Sequence, residues 1–91
     1  MTESELFEFV KRNIAHGITS DAYDDTIRVL ISSGKSDIES AIGSDFDLSN
    51  MDHVMALTLY VKSRFGSLDE KNLYWNRYQE DLTRLGIRNG G

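Results

Sequence analysis

The stretch ALTLYVKSRFG, residues 56–66, decides the fold. Wound at about 100° per residue, Val54, Leu57, Val61 and Phe65 make one apolar stripe, and Met55, Ala56, Leu59 and Tyr60 cover most of the remaining circumference before Lys62 and Arg64 interrupt. A helix that is apolar nearly all round must be covered nearly all round. The expectation is a central helix, packed by its own chain on one side and by another molecule on a second.

Working outward, the chain divides at its turn-formers. It has no proline, and its glycines stand at positions 17, 34, 43, 66, 86, 90 and 91. Thr2-Glu3-Ser4-Glu5 has the T-x-x-E form of a capping box. It opens a helix whose Leu6, Phe9, Val10 and Ile14 share a face and whose exit is placed at Gly17. Ser20 or Asp21 caps the next and longest helix, with Asp21, Asp24 and Asp25 near the positive end of its dipole. Tyr23, Ile27, Leu30, Ile31, Ile38 and Ile42 form its stripe. Gly34 lies on that stripe, either as a close approach by another helix or as a break between two shorter ones. Residues 43–50, GSDFDLSN, read as a loop with Phe46 and Leu48 turned back to the core. Ser49 and Asp52 make a weaker cap for the central helix, which is taken to Gly66. Ser67-Leu68-Asp69-Glu70 opens a last helix carrying Tyr74, Trp75, Tyr78, Leu82 and Leu85, with Gly86 as C-cap and residues 87–91 as a flexible tail. The pattern predicts an all-α bundle of about four helices in one domain, residues 1–91. Its expected core is Tyr23, Ile27, Leu30, Ile31, Ile38, Val54, Leu57, Val61, Phe65, Tyr78 and Leu82.

Composition narrows the function. A chain of 91 residues buries only about 60–65% of the surface exposed on unfolding, so its core is modest. There is no cysteine, so stability must come from helix packing or association rather than from disulfides or thiolate metal sites. No segment reads as a signal peptide or approaches the roughly 18 apolar residues of a membrane span, and a soluble, cytoplasmic product is expected. The net charge of −5 argues against a protein that works by gripping phosphates. That charge is polarised: residues 1–47 hold ten acids against four bases, residues 48–91 five acids against six bases. Opposite ends can therefore meet between copies.

No catalytic constellation is visible. His16 and His53 lack metal-ligand spacing, the aspartates at 21, 24 and 25 lack a calcium-loop pattern, and no phosphate loop or nucleophile elbow occurs. Neither an enzyme nor a cofactor is expected. Tyr74, Trp75 and Tyr78, flanked by Lys71, Arg77 and Arg84, have the types that stack on single-stranded nucleic acid, but a small domain needs them in its core.

The order HGITSDAYDDTIRVLISSGKSDIESAIG, MALTLYVKSRFGS and a final amphipathic helix resembles the small head-tail connector proteins of tailed bacteriophages, also called DNA-packaging or head-completion proteins. The resemblance covers roughly residues 5–85 and rests on Gly17-Ile18, Tyr23-Asp24-Asp25, Leu59-Tyr60-Val61 and Phe65-Gly66. It implies a small helical bundle, about a dozen copies of which form a ring beneath the portal, meet a tail-side completion protein, and extend a channel through which DNA passes without specific binding. It also implies a place at the virion head-tail junction after assembly in the bacterial cytoplasm, with no membrane. In a ring each copy offers different surfaces to its two neighbours. The candidate contact residues are Asp21, Asp24 and Asp25 on one side, and Tyr60, Lys62, Arg64, Arg77 and Arg84 on the other. A helical regulatory module binding a protein or nucleic acid is the alternative reading.

Overall fold

The computed structural model describes residues 1–14, 21–65 and 67–90, the last four by backbone alone. Four helices follow one another: α1 (Glu3–Asn13), α2 (Asp24–Ile42), α3 (Met51–Lys62) and α4 (Leu68–Gly90), with a 3-10 turn at Asp21–Tyr23 leading into α2. No strand occurs among the described residues, so the chain is an all-α bundle.

Local chemistry sets the helix ends. Thr2 Oγ1 accepts the Glu5 N–H at 3.1 Å while Glu5 Oε1 accepts the Thr2 N–H at 2.9 Å, completing the capping box. Helix α1 ends with Ile14 in extended conformation, its side chain fully buried. The expected exit at Gly17-Ile18 lies outside the described residues, as does Ser20. Asp21 does not cap α2. It opens the 3-10 turn, and Tyr23 takes the N-cap position with no side-chain hydrogen bond. The tighter pitch of that turn moves Tyr23 off the α2 stripe, so it is half exposed rather than in the core. Gly43 closes α2 at φ 72° and donates to the Glu39 carbonyl, as a left-handed C-cap does.

Asn50, rather than Ser49, caps α3, accepting the Asp52 N–H at 3.0 Å. Ser49 instead bonds Asp47 through both its N–H and its hydroxyl. Helix α3 stops at Lys62, before Gly66. Ser67 Oγ accepts the Glu70 N–H at 3.2 Å and donates to the Glu70 carboxylate at 3.1 Å, so the cap expected for α4 is present. The exit expected at Gly86 is corrected, since helical backbone continues to Gly90. No local glycine geometry intervenes at 86, where the only close approach is to the Ala41 carbonyl at 3.4 Å from an ideal Cβ.

Helices α2 and α3 form a central pair. Helix α1 packs on both, α4 packs on both, and among the described residues α1 and α4 do not touch each other, which places them on opposite sides of the pair. Val54, Ala56, Leu57, Thr58, Tyr60 and Val61 of α3 are consequently buried. The nearly all-round apolar helix is covered by its own chain, contrary to the expectation of a large uncovered face. Met51, Asp52 and Met55, on its first turns, remain exposed. Leu6, Val10, Ile14, Ile42, Ala56, Tyr60 and Leu85 join the expected core, while Leu30, Phe65 and Leu82 pack at its edge.

The central pair depends on Gly34. Helix α2 is unbroken, and Gly34 is buried in its middle. A Cβ placed there would lie 2.6 Å from Leu57 Cδ1 and 2.8 Å from Tyr60 Cδ1. Close approach, rather than a break, is the role of this glycine. Alanine is better in a helix by about 1 kcal/mol, but overpacking typically costs about 1–3 kcal/mol. Gly34→Ala is therefore expected to lower stability in urea denaturation. A gain of about 1 kcal/mol, the propensity effect alone, would contradict the close-approach role.

Candidate interaction surface

The acidic entry to α2 is divided between internal and external roles. Lys11, at the end of α1 and almost wholly buried, lies 2.8 Å from Asp24 Oδ1 and 3.5 Å from Asp21 Oδ1. The hydrogen bond to Asp24 holds the Lys11 ammonium above its ordinary range. Asp24 thus clamps α1 to α2, its carboxylate already paired within the bundle. The side chains of Asp21 and Asp25 are almost completely exposed, Asp25 lying only 3.6 Å from Arg28.

The cationic candidates also separate. Tyr60 is buried, and its ring sits 5.3 Å from Tyr78 and 6.4 Å from Trp75. Tyr60 is therefore a packing residue joining α3 to α4, not an open contact. Arg64 lies over both Tyr60, at 5.1 Å, and Trp75, at 5.3 Å, capping this aromatic cluster. Lys62 stands 4.5 Å from the Tyr74 ring. Arg84 pairs with Asp81 one turn earlier. Arg77 is exposed and has no carboxylate partner among the described residues. Of the five cationic-side candidates, Arg77 is the one left uncommitted.

Buried polar groups are occupied in holding the fold. The Tyr78 hydroxyl donates to Asp37 Oδ2, linking α4 to α2. Burial, reinforced by that carboxylate acceptor, pushes the phenol well above its ordinary range. Its proton is held, so it offers neither a nucleophile nor a base near neutrality. Thr58 and Ser63 donate to the carbonyls of Val54 and Tyr60. His53 is buried; its Nδ1 accepts the Asp47 N–H at 3.0 Å and its ring lies against Phe46, so it pins the 43–50 loop. Among the described residues, no group of three or more His, Asp or Glu side chains converges as metal ligands would, and no helix is long and apolar enough to cross a membrane.

Surface features outside the sequence-derived set complete the picture. Val29, Leu68 and Leu73 are exposed to 64%, 73% and 47%, and Trp75 is open at its edge. They occupy α2 and α4, on the outside of the bundle. Between α1 and α2 lies a cleft of about 440 Å³, lined by Glu3, Ser4, Phe7, Arg28, Ile31 and Lys35 among others. Arg28 lies 4.5 Å from the centre of the Phe7 ring, and Lys35 is held by Glu3 at 2.5 and 2.7 Å.

Comparison of the chain with protein-family models, curated proteins and solved structures finds no match.

The Tyr78 geometry has a measurable consequence. A folded-state value raised above the unfolded one, about 10 for tyrosine, gives stability that is complete below about pH 10 and declines as pH rises further. In spectrophotometric titration, Tyr78 should ionise only as the fold is lost. Tyr78→Phe should remove this part of the alkaline decline while costing about 1 kcal/mol at neutral pH. Ionisation of all four tyrosines near pH 10 with the helices intact would contradict the assignment.

Proposed function

We propose that this chain is a non-enzymatic structural subunit that assembles with copies of itself into a ring at the head-tail junction of a bacteriophage, between portal and tail, around the DNA channel. The observation that supports it is the placement of uncovered apolar side chains. The middle of helix α3 is covered within the bundle, whereas Val29 on α2, Met51 and Met55 on the first turns of α3, and Leu68, Leu73 and Trp75 on α4 remain exposed. A small chain with a modest core that leaves such residues open gains from covering them with neighbouring subunits. The sequence resemblance supplies the kind of assembly, and the buried hydroxyls and histidine are occupied in structure rather than poised for chemistry.

Charge can orient the subunits. Asp21 and Asp25 project from one part of the surface, and Arg77 projects uncommitted from α4. Exposed pairs contribute only about 0–1 kcal/mol each, so apolar burial must hold the contact while charge selects its orientation. The net charge of −5 suits a channel wall that repels DNA phosphates and lets the duplex slide. A subunit this small must also offset the rigid-body entropy lost on association, so a portal template favours closure.

The test is incubation with purified portal protein, followed by sedimentation and electron microscopy. The wild type is expected to add a ring of density beneath the portal, and Arg77→Glu to weaken that addition. A wild type that neither joins a portal nor self-associates at any concentration overturns the proposal.

A further inference from the structure

The contact between copies can be assigned more narrowly, on the basis of the self-assembly just proposed. We infer that the first turn of α4, with Leu68 as its apolar knob and Asp69 as its charge, docks into the α1/α2 cleft of a second copy of this chain. Leu68 is the most exposed of the large apolar side chains among the described residues, at 73%. Asp69 follows it directly and has no cation partner among the described residues. Glu70, the other acid of this turn, is held by Ser67. The first turn of α4 is thus an apolar projection beside one uncommitted carboxylate.

The cleft has the complementary character. Phe7 and Ile31 supply its apolar surface, and Arg28 stands at its rim. Lys35 is held by Glu3, but the Arg28 side chain is 60% exposed and meets Asp25 only at 3.6 Å. Arg28 can therefore accept a second carboxylate while its guanidinium stays over Phe7. A volume of about 440 Å³ exceeds that of a leucine side chain.

Placement decides the symmetry. The cleft belongs to the α1 side of the central pair, and Leu68 belongs to α4, which packs on that pair from the opposite side. Knob and cleft lie on opposite sides of the central pair, so a copy can engage one neighbour through each, and the contact propagates from copy to copy until rotation closes it.

Because each copy carries one knob and one cleft, the two can be disabled separately. Leu68→Asp removes the knob, and Ser32→Trp fills the cleft from its exposed rim without touching the core. Circular dichroism and urea denaturation first establish that both variants keep the fold. In sedimentation equilibrium each variant alone should associate about tenfold or more weakly than wild type, the loss typical of a buried interface anchor. Their mixture should form dimers and nothing larger, because one intact knob meets one intact cleft. Arg28→Glu and Asp69→Arg should each weaken association, and the double reversal should restore it. If wild type associates but the variants match it, or the mixture forms no dimer, the knob-and-cleft contact is overturned while self-assembly stands. If wild type does not associate even at millimolar concentration, both fall.

Discussion

The bundle depends on the absence of a side chain at Gly34. Its bare Cα lets α2 approach α3 until Leu57 and the Tyr60 ring occupy the space a Cβ would need. Tyr60, fixed by that approach, presents its ring to Tyr78 and Trp75, and this contact seats α4. The Tyr78 hydroxyl then reaches across to Asp37, three residues beyond Gly34 on α2, and closes the circuit among the three helices. Helix α1 is attached on the remaining side through Leu6, Val10 and Ile14, with Lys11 pairing to Asp24 and Glu3 pairing to Lys35 at opposite ends. Those two pairs run in opposite order along the chains, so α1 lies antiparallel to α2.

This arrangement changes what the apolar central helix means. An all-round apolar helix in a small protein invites the idea of an intermolecular seam. Here three neighbouring helices cover it. The large apolar side chains left exposed include Val29 on α2, Met51 and Met55 at the start of α3, and Leu68, Leu73 and Trp75 on α4. They are few and separated, which fits an interface that is weak per subunit and strengthened by repetition in a closed assembly.

The sequence was most legible where a single periodicity or cap dominates. The Thr2–Glu5 box and the α2 stripe through Ile27, Ile31, Ile38 and Ile42 appear in place, and Ser67 caps the Glu70 N–H, though the Glu70 carboxylate returns to the Ser67 hydroxyl rather than to its N–H. Reading failed where two local options competed. Asp47 captured Ser49 and left Asn50 to cap α3, and a 3-10 turn intervened before α2, taking Tyr23 out of the core. The candidate contact residues were only partly legible, because residue type does not reveal internal partners. Asp24 is claimed by Lys11, Tyr60 by Tyr78 and Arg84 by Asp81; Asp21 and Asp25 keep exposed side chains with longer contacts to Lys11 and Arg28, and Arg77 has no carboxylate partner among the described residues. The α1/α2 cleft gave no sequence signal, since Phe7 and Arg28 are 21 positions apart and meet only through the fold.

Coverage of α3 within one chain, with assembly confined to the outer surfaces, is tested most directly by amide hydrogen exchange across a concentration series. Core amides exchange only through large openings, whereas interface amides slow when a partner arrives. Residues 54–61 should be the most protected in the chain at the lowest concentration and should not change as it rises. Protection should instead grow in the first turn of α4 and along the facing turns of α1 and α2. If α3 exchanges rapidly in the dilute protein and becomes protected only as copies associate, its cover is intermolecular and the self-contained bundle is contradicted.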